Sequence, residues 1–239
     1  MSEKTNIEWT DSTWNSWLGC HKVSAACRHC YMERDMRRYG RDPNVVVRSR
    51  TTFDAPVRWK EPKRIFTCSW SDFFIEEADP WRDEAWDIIR RTTRHTYQIL
   101  TKRPERIAEH LPPDWPFRHV WLGVTVENRE AGLPRMDTLR EIPATIRFIS
   151  AEPLLADLEG INLDGFHWVI AGGESGPHGR RMMPGWPRQL RDQCVACGIP
   201  FFFKQWGRFN EAGNAVGKKK AGKGLDGREW CESPERNDK

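Results

Sequence analysis

Seven short apolar runs, each closing in polar residues, recur along the chain and restrict its fold more than any other feature. They are 14–23, 65–72 (IFTCSWSD), 96–103 (TYQILTKR), 119–128 (HVWLGVTVEN), 145–153 (TIRFISAEP), 167–175 (HWVIAGGES) and 200–207 (PFFFKQWG). Their β-branched and aromatic composition predicts buried strands. Segments with helical periodicity separate the later runs, at 80–94, 104–110, 129–140 and 187–197. This alternation predicts an α/β fold with a parallel sheet, either open or closed into a partial or complete βα barrel, followed by a short C-terminal extension.

Polar side chains gather where the predicted strands end. They are Cys20, Asp72, Lys102, Arg103, Glu127, Glu152, Glu174 and Lys204. In parallel α/β folds, functional side chains collect at the carboxyl ends of the strands. A boundary with solvent would also place polar residues there, but it would less often place three isolated glutamates directly after three strands. We therefore expect a functional site at this edge of the sheet.

Composition suggests how the chain is organised and where it acts. We expect residues 1–207 to form a βα-barrel-like catalytic domain and the Gly- and Lys-rich residues 208–239 to form a basic hairpin or tail, with a nucleic-acid-binding arm as the alternative. No apolar run approaches the roughly 20 residues that span a bilayer. Residues 1–10 lack the apolar core of a signal peptide. These features predict a cytoplasmic monomer with no membrane partner.

The charge balance and the tryptophan content permit a nucleic-acid partner without requiring one. The net charge is +4, from 38 basic and 34 acidic residues. Arginines cluster at 34–41, 48–50 and 90–94, where solvated helix faces are the ordinary explanation. The 13 tryptophans are most simply packing residues, although those near strand ends could stack on a base.

The spacing Cys20-x6-Cys27-x2-Cys30, directly after the first predicted strand, indicates a metal centre. The chain has seven cysteines, an odd number, and lacks a secretion signal, which favours metal or catalytic use over disulfides. Thiolates are soft ligands that suit zinc, iron–sulfur clusters and Cu(I). Three thiolates favour a [4Fe–4S] cluster with one open iron position over a structural zinc site, which needs four ligands.

Zinc stays open as the alternative metal. His21 or His29 could supply a fourth ligand, or a four-thiolate site could recruit from the pair Cys194 and Cys197. That pair has helical spacing and apolar neighbours, so ordinary packing is the favoured interpretation of it.

Further motifs resemble a known family of three-cysteine proteins. Residues 6–15 (NIEWTDSTWN), together with Gly19-Cys20, Val23-Ser24, Cys27 and Cys30-Tyr31, resemble the opening of a phage- and bacterium-associated family that is catalogued as a domain of unknown function. The resemblance continues through LTKRP (100–104), WLGVTVEN (121–128), SAEPLL (150–155), GGESG (172–176), FFFKQWG (201–207) and LDGREW (225–230). It therefore covers nearly the whole chain.

That family in turn resembles radical S-adenosylmethionine enzymes, including spore photoproduct lyase, which place three cysteines after the first strand of a partial βα barrel. Two features depart from their pattern. The usual first cysteine gap is three residues and here it is six, a change in loop length that costs little. The usual GGE element follows the second strand, whereas Gly172-Gly173-Glu174 follows the sixth, so its contact with the amino group of S-adenosylmethionine is not carried over.

The resemblance implies a [4Fe–4S] cluster, S-adenosylmethionine and an external electron donor, which together generate a 5′-deoxyadenosyl radical that abstracts hydrogen from DNA or a nucleotide. Photoproduct repair or another DNA modification is the implied reaction. The residues implied in cofactor binding are His29, Tyr31, Glu127, Ser150, Glu152, Gly172, Gly173 and Glu174. Cys68 would donate hydrogen, unless it is a small core residue, Asp72 would position the substrate, and Lys204 would pair with a glutamate or a cofactor carboxylate. Lys102 and Arg103 would clamp a substrate phosphate.

Two other functions stay open. One is a zinc-stabilised nucleic-acid-binding or phage-associated interaction protein that carries out no redox chemistry. The other is metal-assisted hydrolysis by the three strand-end glutamates, which would need neither a reductant nor S-adenosylmethionine.

Overall fold

Short strands and helices alternate along the computed structural model, which describes residues 3–235. The strands are β1 (Ser12–Trp14), β2 (Trp17–Leu18), β3 (Val47–Arg48), β4 (Arg64–Thr67), β5 (Thr96–Thr101), β6 (Val120–Thr125), β7 (Ile146–Ala151), β8 (Trp168–Gly172), β9 (Phe201–Gln205), β10 (Gly224–Leu225) and β11 (Arg228–Glu229). The helices are α1 (Tyr31–Arg38), α2 (Ala55–Arg58), α3 (Asp79–Arg91), α4 (Arg129–Arg140), α5 (Gly185–Cys197) and α6 (Lys218–Ala221). Every helix of the described part is too short or too polar to cross a membrane.

Seven of these strands form one sheet in the order β1-β4-β5-β6-β7-β8-β9, and all neighbours are parallel. Each new strand is added on the same side of the previous one, and the sheet curls into a half-barrel. The predicted α/β fold with a partial parallel βα barrel is confirmed. Two small antiparallel pairs, β2 with β3 and β10 with β11, lie outside this sheet.

The later six apolar runs each contain one sheet strand, but the first prediction was wrong in detail. The sheet strand β1 ends at Trp14, where the predicted run begins, and Trp17–Leu18 pairs with β3 instead. The Asn15 side chain explains the break, because its Oδ1 accepts a hydrogen bond from Trp70 N at 2.8 Å, in place of a backbone partner. The cysteine motif therefore follows β2 and not the first strand of the sheet.

Two further predictions were wrong about local structure. Residues 104–110 form two 3₁₀ turns instead of one helix, and the Arg106 side chain there donates to the carbonyl of Phe74 at 2.9 Å. Cys68 lies directly after β4 instead of inside it. Its backbone turns to φ 59°, which ends the strand, while its N–H still donates to the Trp14 carbonyl at 2.7 Å.

Alternate side chains of the sheet enter two separate cores. One set packs beneath the helices with residues of α3, α4 and α5. The other set lies on the opposite, concave face and is almost entirely aromatic: Trp9, Phe66, Trp121, Phe148, Trp168, Ile170 and Phe202. Gly123 makes this layer possible, since a Cβ there would lie 2.4 Å from the Phe148 ring.

The segment after residue 207 lies against the exposed edge of β9. Phe203 N donates to the Trp230 carbonyl at 2.9 Å, Phe202 forms an antiparallel bridge with Cys231, and Leu225 is completely buried. The division of the chain at residue 207 stays a prediction, and residues 236–239 of the predicted tail lie outside the described residues.

Candidate active site

A cavity of about 430 Å³ opens at the carboxyl ends of the sheet strands. Its walls include the predicted site residues Cys20, Cys27, His29, Cys30, Tyr31, Cys68, Asp72, Lys102, Arg103, Ser150, Glu152, Gly173, Glu174 and Lys204. Two predicted residues, Glu127 and Gly172, do not line it. Parallel strands that all end at one edge bring together side chains that are far apart in the chain. The volume suits a nucleotide-sized ligand.

Backbone contacts hold the cysteine loop against the edge of the sheet. Gly19 N donates to the Trp70 carbonyl at 3.1 Å, and Cys20 N donates to the Pro43 carbonyl at 2.9 Å. Gly19 has φ 96° and passes so close to Val45 that a Cβ would lie 2.4 Å from the Val45 carbonyl oxygen. Cys27 lies in a 3₁₀ turn, Ala25–His29, and Cys30 caps α1.

The three cysteines of the motif share one cavity. All three are free, half-buried and turned toward one cavity. Within residues 3–235, no three His, Cys, Asp or Glu side chains stand close enough to hold one metal ion.

The candidate fourth zinc ligands, His21 and His29, both line the cavity with the cysteines. The His21 ring is hydrogen-bonded to Glu77, and the His29 ring lies beside His178, with 5.9 Å between centroids. The hypothesis of a four-thiolate site that includes Cys194 and Cys197 is wrong because of where these two residues lie. Both lie on α5 and neither lines the cavity, and Cys194 is completely buried in the helix-side core, as its apolar neighbours predicted.

Burial favours the protonated form of two of the thiols. It raises the pKa of Cys20 to about 12, with Asp72 acting in the same direction and Arg103 against it. Burial also raises the pKa of Cys30. A soft metal centre would displace these protons on binding.

Asp72 and Arg103 form a buried pair beside Cys20. The Asp72 carboxylate accepts from Thr101 Oγ1 at 2.7 Å and from Lys102 N at 2.9 Å. It lies 3.2 Å from Arg103 Nη1, and the same guanidinium donates to the His21 carbonyl at 3.1 Å and approaches Cys20 Sγ at 3.8 Å. Arg103, the predicted phosphate ligand, therefore holds the cysteine loop with its guanidinium group, and Asp72 keeps that group in place.

Glu174 holds the same loop from the opposite side through an arginine that sequence reasoning missed. Its two oxygens accept from Arg180 Nη2 at 2.6 Å and from Arg180 Nε at 2.8 Å. The same Nη2 donates to the Ala25 carbonyl at 2.9 Å, two residues before Cys27. Burial alone would raise the pKa of Glu174, but the Arg180 contacts outweigh it and lower the pKa.

Glu127 is completely buried, and its carboxylate lies near Ser24 of the cysteine loop. Its Oε2 accepts from Arg135 Nη1 at 2.7 Å. Among residues 3–235, neither its Oε1 nor the buried Oγ of Ser24 has a hydrogen-bond partner. Ser24 directly precedes the 3₁₀ turn of the cysteine loop. Burial acts to raise the pKa of Glu127, but the nearby Ser24 hydroxyl and the Arg135 guanidinium leave it lowered. Arg135 was also missed, because it lies in the middle of α4, where exposed charge is common.

Glu152 differs from the other two glutamates because its pair faces the cavity. Its Oε1 accepts from Lys204 Nζ at 2.6 Å, and both residues line the cavity. Gly172 is not required for this pair, since a Cβ there would make only an ordinary van der Waals contact, 3.4 Å from the Lys204 Cβ. The predicted pairing of Lys204 with a glutamate is confirmed at Glu152.

The remaining predicted residues have distinct surroundings. Burial raises the pKa of Cys68 to about 12, and its Sγ lies 3.4 Å from Ser16 Oγ. The Tyr31 hydroxyl donates to the Ser69 carbonyl at 2.7 Å, and burial of that hydroxyl raises its pKa. Ser150 is buried at the end of β7. The space beside Gly173 is filled by the Trp206 carbonyl, 2.0 Å from where a Cβ would stand.

Two lysine ammonium groups at the cavity are unpaired. Lys102 follows β5 and Lys218 begins α6, and both line the cavity. Within residues 3–235, neither ammonium has a hydrogen bond or an ion pair. Burial, followed by the like charge of Lys204, lowers the pKa of Lys218. Sequence reasoning had assigned the run 217–220 to a surface hairpin or tail, and its three consecutive lysines were the available signal.

Comparison with known proteins identifies a family. The model of a family described as protein of unknown function (DUF5131) matches residues 4–234. The chain belongs to this family. The DUF5131 match spans both the cysteine loop and the segment after residue 207, and it confirms the predicted membership of a family of unknown function. No curated protein and no solved structure matches the chain.

Proposed function

We propose that the chain is an iron–sulfur enzyme that uses S-adenosylmethionine and an external electron donor to repair or modify DNA or a nucleotide. One observation carries the proposal: three free thiols of one loop line the same cavity as the polar strand ends of a parallel half-barrel. A reactive centre needs such a wall of orienting groups, whereas a purely structural metal clip does not.

Cys20, Cys27 and Cys30 would hold the cluster. When bound, a cluster of this kind supplies an electron to S-adenosylmethionine, which is chemistry that no side chain provides. The chain's own residues hold its ligand loop: Arg103 contacts the His21 carbonyl and Arg180 contacts the Ala25 carbonyl. Because Asp72 and Glu174 fix those two arginines, they act as positioning residues.

The cavity also offers charge for both small molecules. The Glu152–Lys204 pair presents one anionic and one cationic group, which suits the amino and carboxylate groups of S-adenosylmethionine. The unpaired Lys102 and Lys218 suit a substrate phosphate. The aromatic layer, with Trp9 and Phe66 among the residues of the cavity wall, keeps water from the closed end of the half-barrel.

Anaerobic purification with iron, sulfide and zinc analysis tests the proposal. We expect a brown protein with about four irons, and formation of 5′-deoxyadenosine when reductant and S-adenosylmethionine are added. Cys20→Ala, Cys27→Ala and Cys30→Ala should each lose the iron, whereas Cys197→Ala, an exposed thiol outside the cavity, should keep it.

Two results would contradict the proposal. A colourless protein with stoichiometric zinc would favour the zinc-stabilised binding protein, and hydrolysis without reductant would favour the glutamate mechanism. UV-crosslinked thymine DNA tests the repair reaction itself, since an active cluster that leaves this DNA unrepaired would restrict the function to another modification.

A further inference from the structure

Positive charge is concentrated on one short segment next to the cavity. Residues 28–41 contain five arginines and two acidic residues, so this segment carries three of the four net positive charges of the whole chain. It consists of the end of the cysteine loop, helix α1 and the turn that follows. Such a concentration produces a strong local field for anions.

Four of the five arginines in this segment are free to bind. The exceptional one is Arg34, whose Nε lies 3.0 Å from Asp35. The others, Arg28, Arg37, Arg38 and Arg41, are exposed, and within residues 3–235 their guanidinium groups have no hydrogen bond or ion pair. Stabilisation of the α1 dipole accounts for basic residues in its last turn. It does not account for Arg28 and Arg41, which lie outside the helix.

An aromatic pair lies at the end of the same helix. Tyr39 is 67% exposed, and its ring centroid lies 6.1 Å from that of the half-buried Trp70. Aromatic side chains are usually stabilised by burial. A tyrosine that is this exposed and lies beside a tryptophan therefore provides a surface on which a base can stack.

This surface is continuous with the cavity. Helix α1 begins with Tyr31, which lines the cavity and donates its hydroxyl to the Ser69 carbonyl. Trp70 follows in the loop whose neighbours Ser69 and Ser71 also line the cavity. A ligand that extends out of the cavity along α1 therefore meets the aromatic pair and the free arginines.

We infer that α1 and the Tyr39–Trp70 pair bind a single strand of nucleic acid whose target nucleotide enters the cavity. The inference rests on the proposed function and names its substrate: a polynucleotide strand instead of a free nucleotide. Arginines neutralise backbone phosphates without regard to sequence, and aromatic rings stack on unpaired bases. A base that is already unpaired reaches a cavity without the cost of extrusion from a duplex.

Fluorescence anisotropy with a labelled 12-nucleotide single strand, on the anaerobically purified full chain, tests the inference. The double variant Arg37→Gln/Arg38→Gln should bind at least ten times more weakly, and its slope of log Kd against log salt should fall by about 1.4, as expected for two lost phosphate contacts to a single strand. The control Lys60→Gln/Arg118→Gln removes two exposed, unpaired charges at the opposite edge of the sheet and should change Kd less than twofold.

The aromatic pair has its own test. Tyr39→Ala should weaken binding about tenfold, while Tyr39→Phe, which keeps the ring, should change it less than twofold. Equal effects of the two charge variants, or an unchanged Kd in Tyr39→Ala, would overturn the inference. Equal competition by polyglutamate, together with an unchanged Tyr39→Ala, would assign the surface to an acidic protein instead.

The failures of the two proposals are distinguishable because binding is measured without turnover. An iron-loaded protein that forms 5′-deoxyadenosine but binds the strand no better than a mononucleotide would overturn only the inference about α1. A protein without iron that binds the strand through Arg37, Arg38 and Tyr39 would overturn the enzymatic function and support the surface. Duplex of the same sequence bound as tightly as the single strand would overturn the inference of a single-stranded partner.

Discussion

Each of the four strand-end carboxylates has its own basic partner, and the partner decides what the carboxylate can do. Asp72 pairs with Arg103, Glu127 with Arg135, Glu152 with Lys204 and Glu174 with Arg180. Three of these pairs contain an arginine that also donates to a backbone carbonyl, so they brace structure. Both members line the cavity in the Asp72–Arg103 and Glu152–Lys204 pairs. Because Arg103 is committed to the His21 carbonyl, the Glu152–Lys204 pair is the better placed of the two to meet a ligand.

The bidentate contact at Glu174 predicts a measurable loss of stability. Glu174→Gln removes the charge from a carboxylate that is 7% exposed and leaves Arg180 without its partner, which should lower the free energy of unfolding by about 1–3 kcal/mol. Asp137→Asn is the control, because the Asp137 side chain is 74% exposed and its pair with Arg140 should contribute less than about 0.5 kcal/mol. Urea denaturation measures both, and equal losses would contradict a bracing role for Glu174.

At the scale of elements, short parallel strands end at one edge, and the connecting loops carry the chemistry. The strands β4 to β9 contribute buried apolar residues to both faces, and the residues at or just after their carboxyl ends form the wall of the cavity. The segment after residue 207 takes part as well: β10 and Trp230 lie near β9, and α6 brings Lys218 to the cavity. It is therefore structurally tied to the half-barrel.

A core substitution in that segment tests how far it contributes to the fold. Leu225 is completely buried in the helix-side core, so Leu225→Ala should lower the free energy of unfolding by about 2–4 kcal/mol through lost burial and a cavity. Val195→Ala, on the exposed face of α5, should change it by less than about 0.5 kcal/mol. A Leu225→Ala protein with unchanged stability would favour the independent hairpin or tail after residue 207.

At the scale of the whole molecule, one buried and two half-buried histidines predict that stability depends on pH near neutrality. Burial lowers the pKa of His95, His119 and His167 below the ordinary value of 6.5. A histidine with a lowered folded-state pKa takes up its proton more readily in the unfolded chain. Its contribution is therefore fully present above the unfolded pKa and is lost as the pH falls through it. His95 is the most constrained, since its Nε2 contacts the Pro56 carbonyl at 3.1 Å and its buried Nδ1 has no partner in the described part of the chain.

We expect the free energy of unfolding to fall between about pH 7.5 and pH 5.5, before the carboxylates titrate. His95→Gln keeps a donor for the Pro56 carbonyl but cannot take up a proton, so its stability should fall less over the same range. Urea denaturation in a pH series measures the difference. Parallel curves for the two proteins would show that His95 has the same pKa in the folded and unfolded chains.

The sequence alone was sufficient for the periodic features of this protein. Buried runs of β-branched and aromatic residues predicted six of the seven sheet strands, and the bounds 129–140 of α4 were predicted as the structure has them. Spacing was sufficient to group Cys20, Cys27 and Cys30, because the three lie on one short loop. These features depend on neighbours in the chain, and local physics therefore determines them.

Only the tertiary structure decided which residues share a task. Glu127, Glu152 and Glu174 looked equivalent at three strand ends, yet burial and the positions of Arg135, Lys204 and Arg180 separate them. Lys218 reaches the cavity because the chain returns along β9, which no local pattern encodes. The physical reason is that the pairing of charges and the closure of a cavity depend on long-range packing, whereas strand formation depends on side chains a few residues apart.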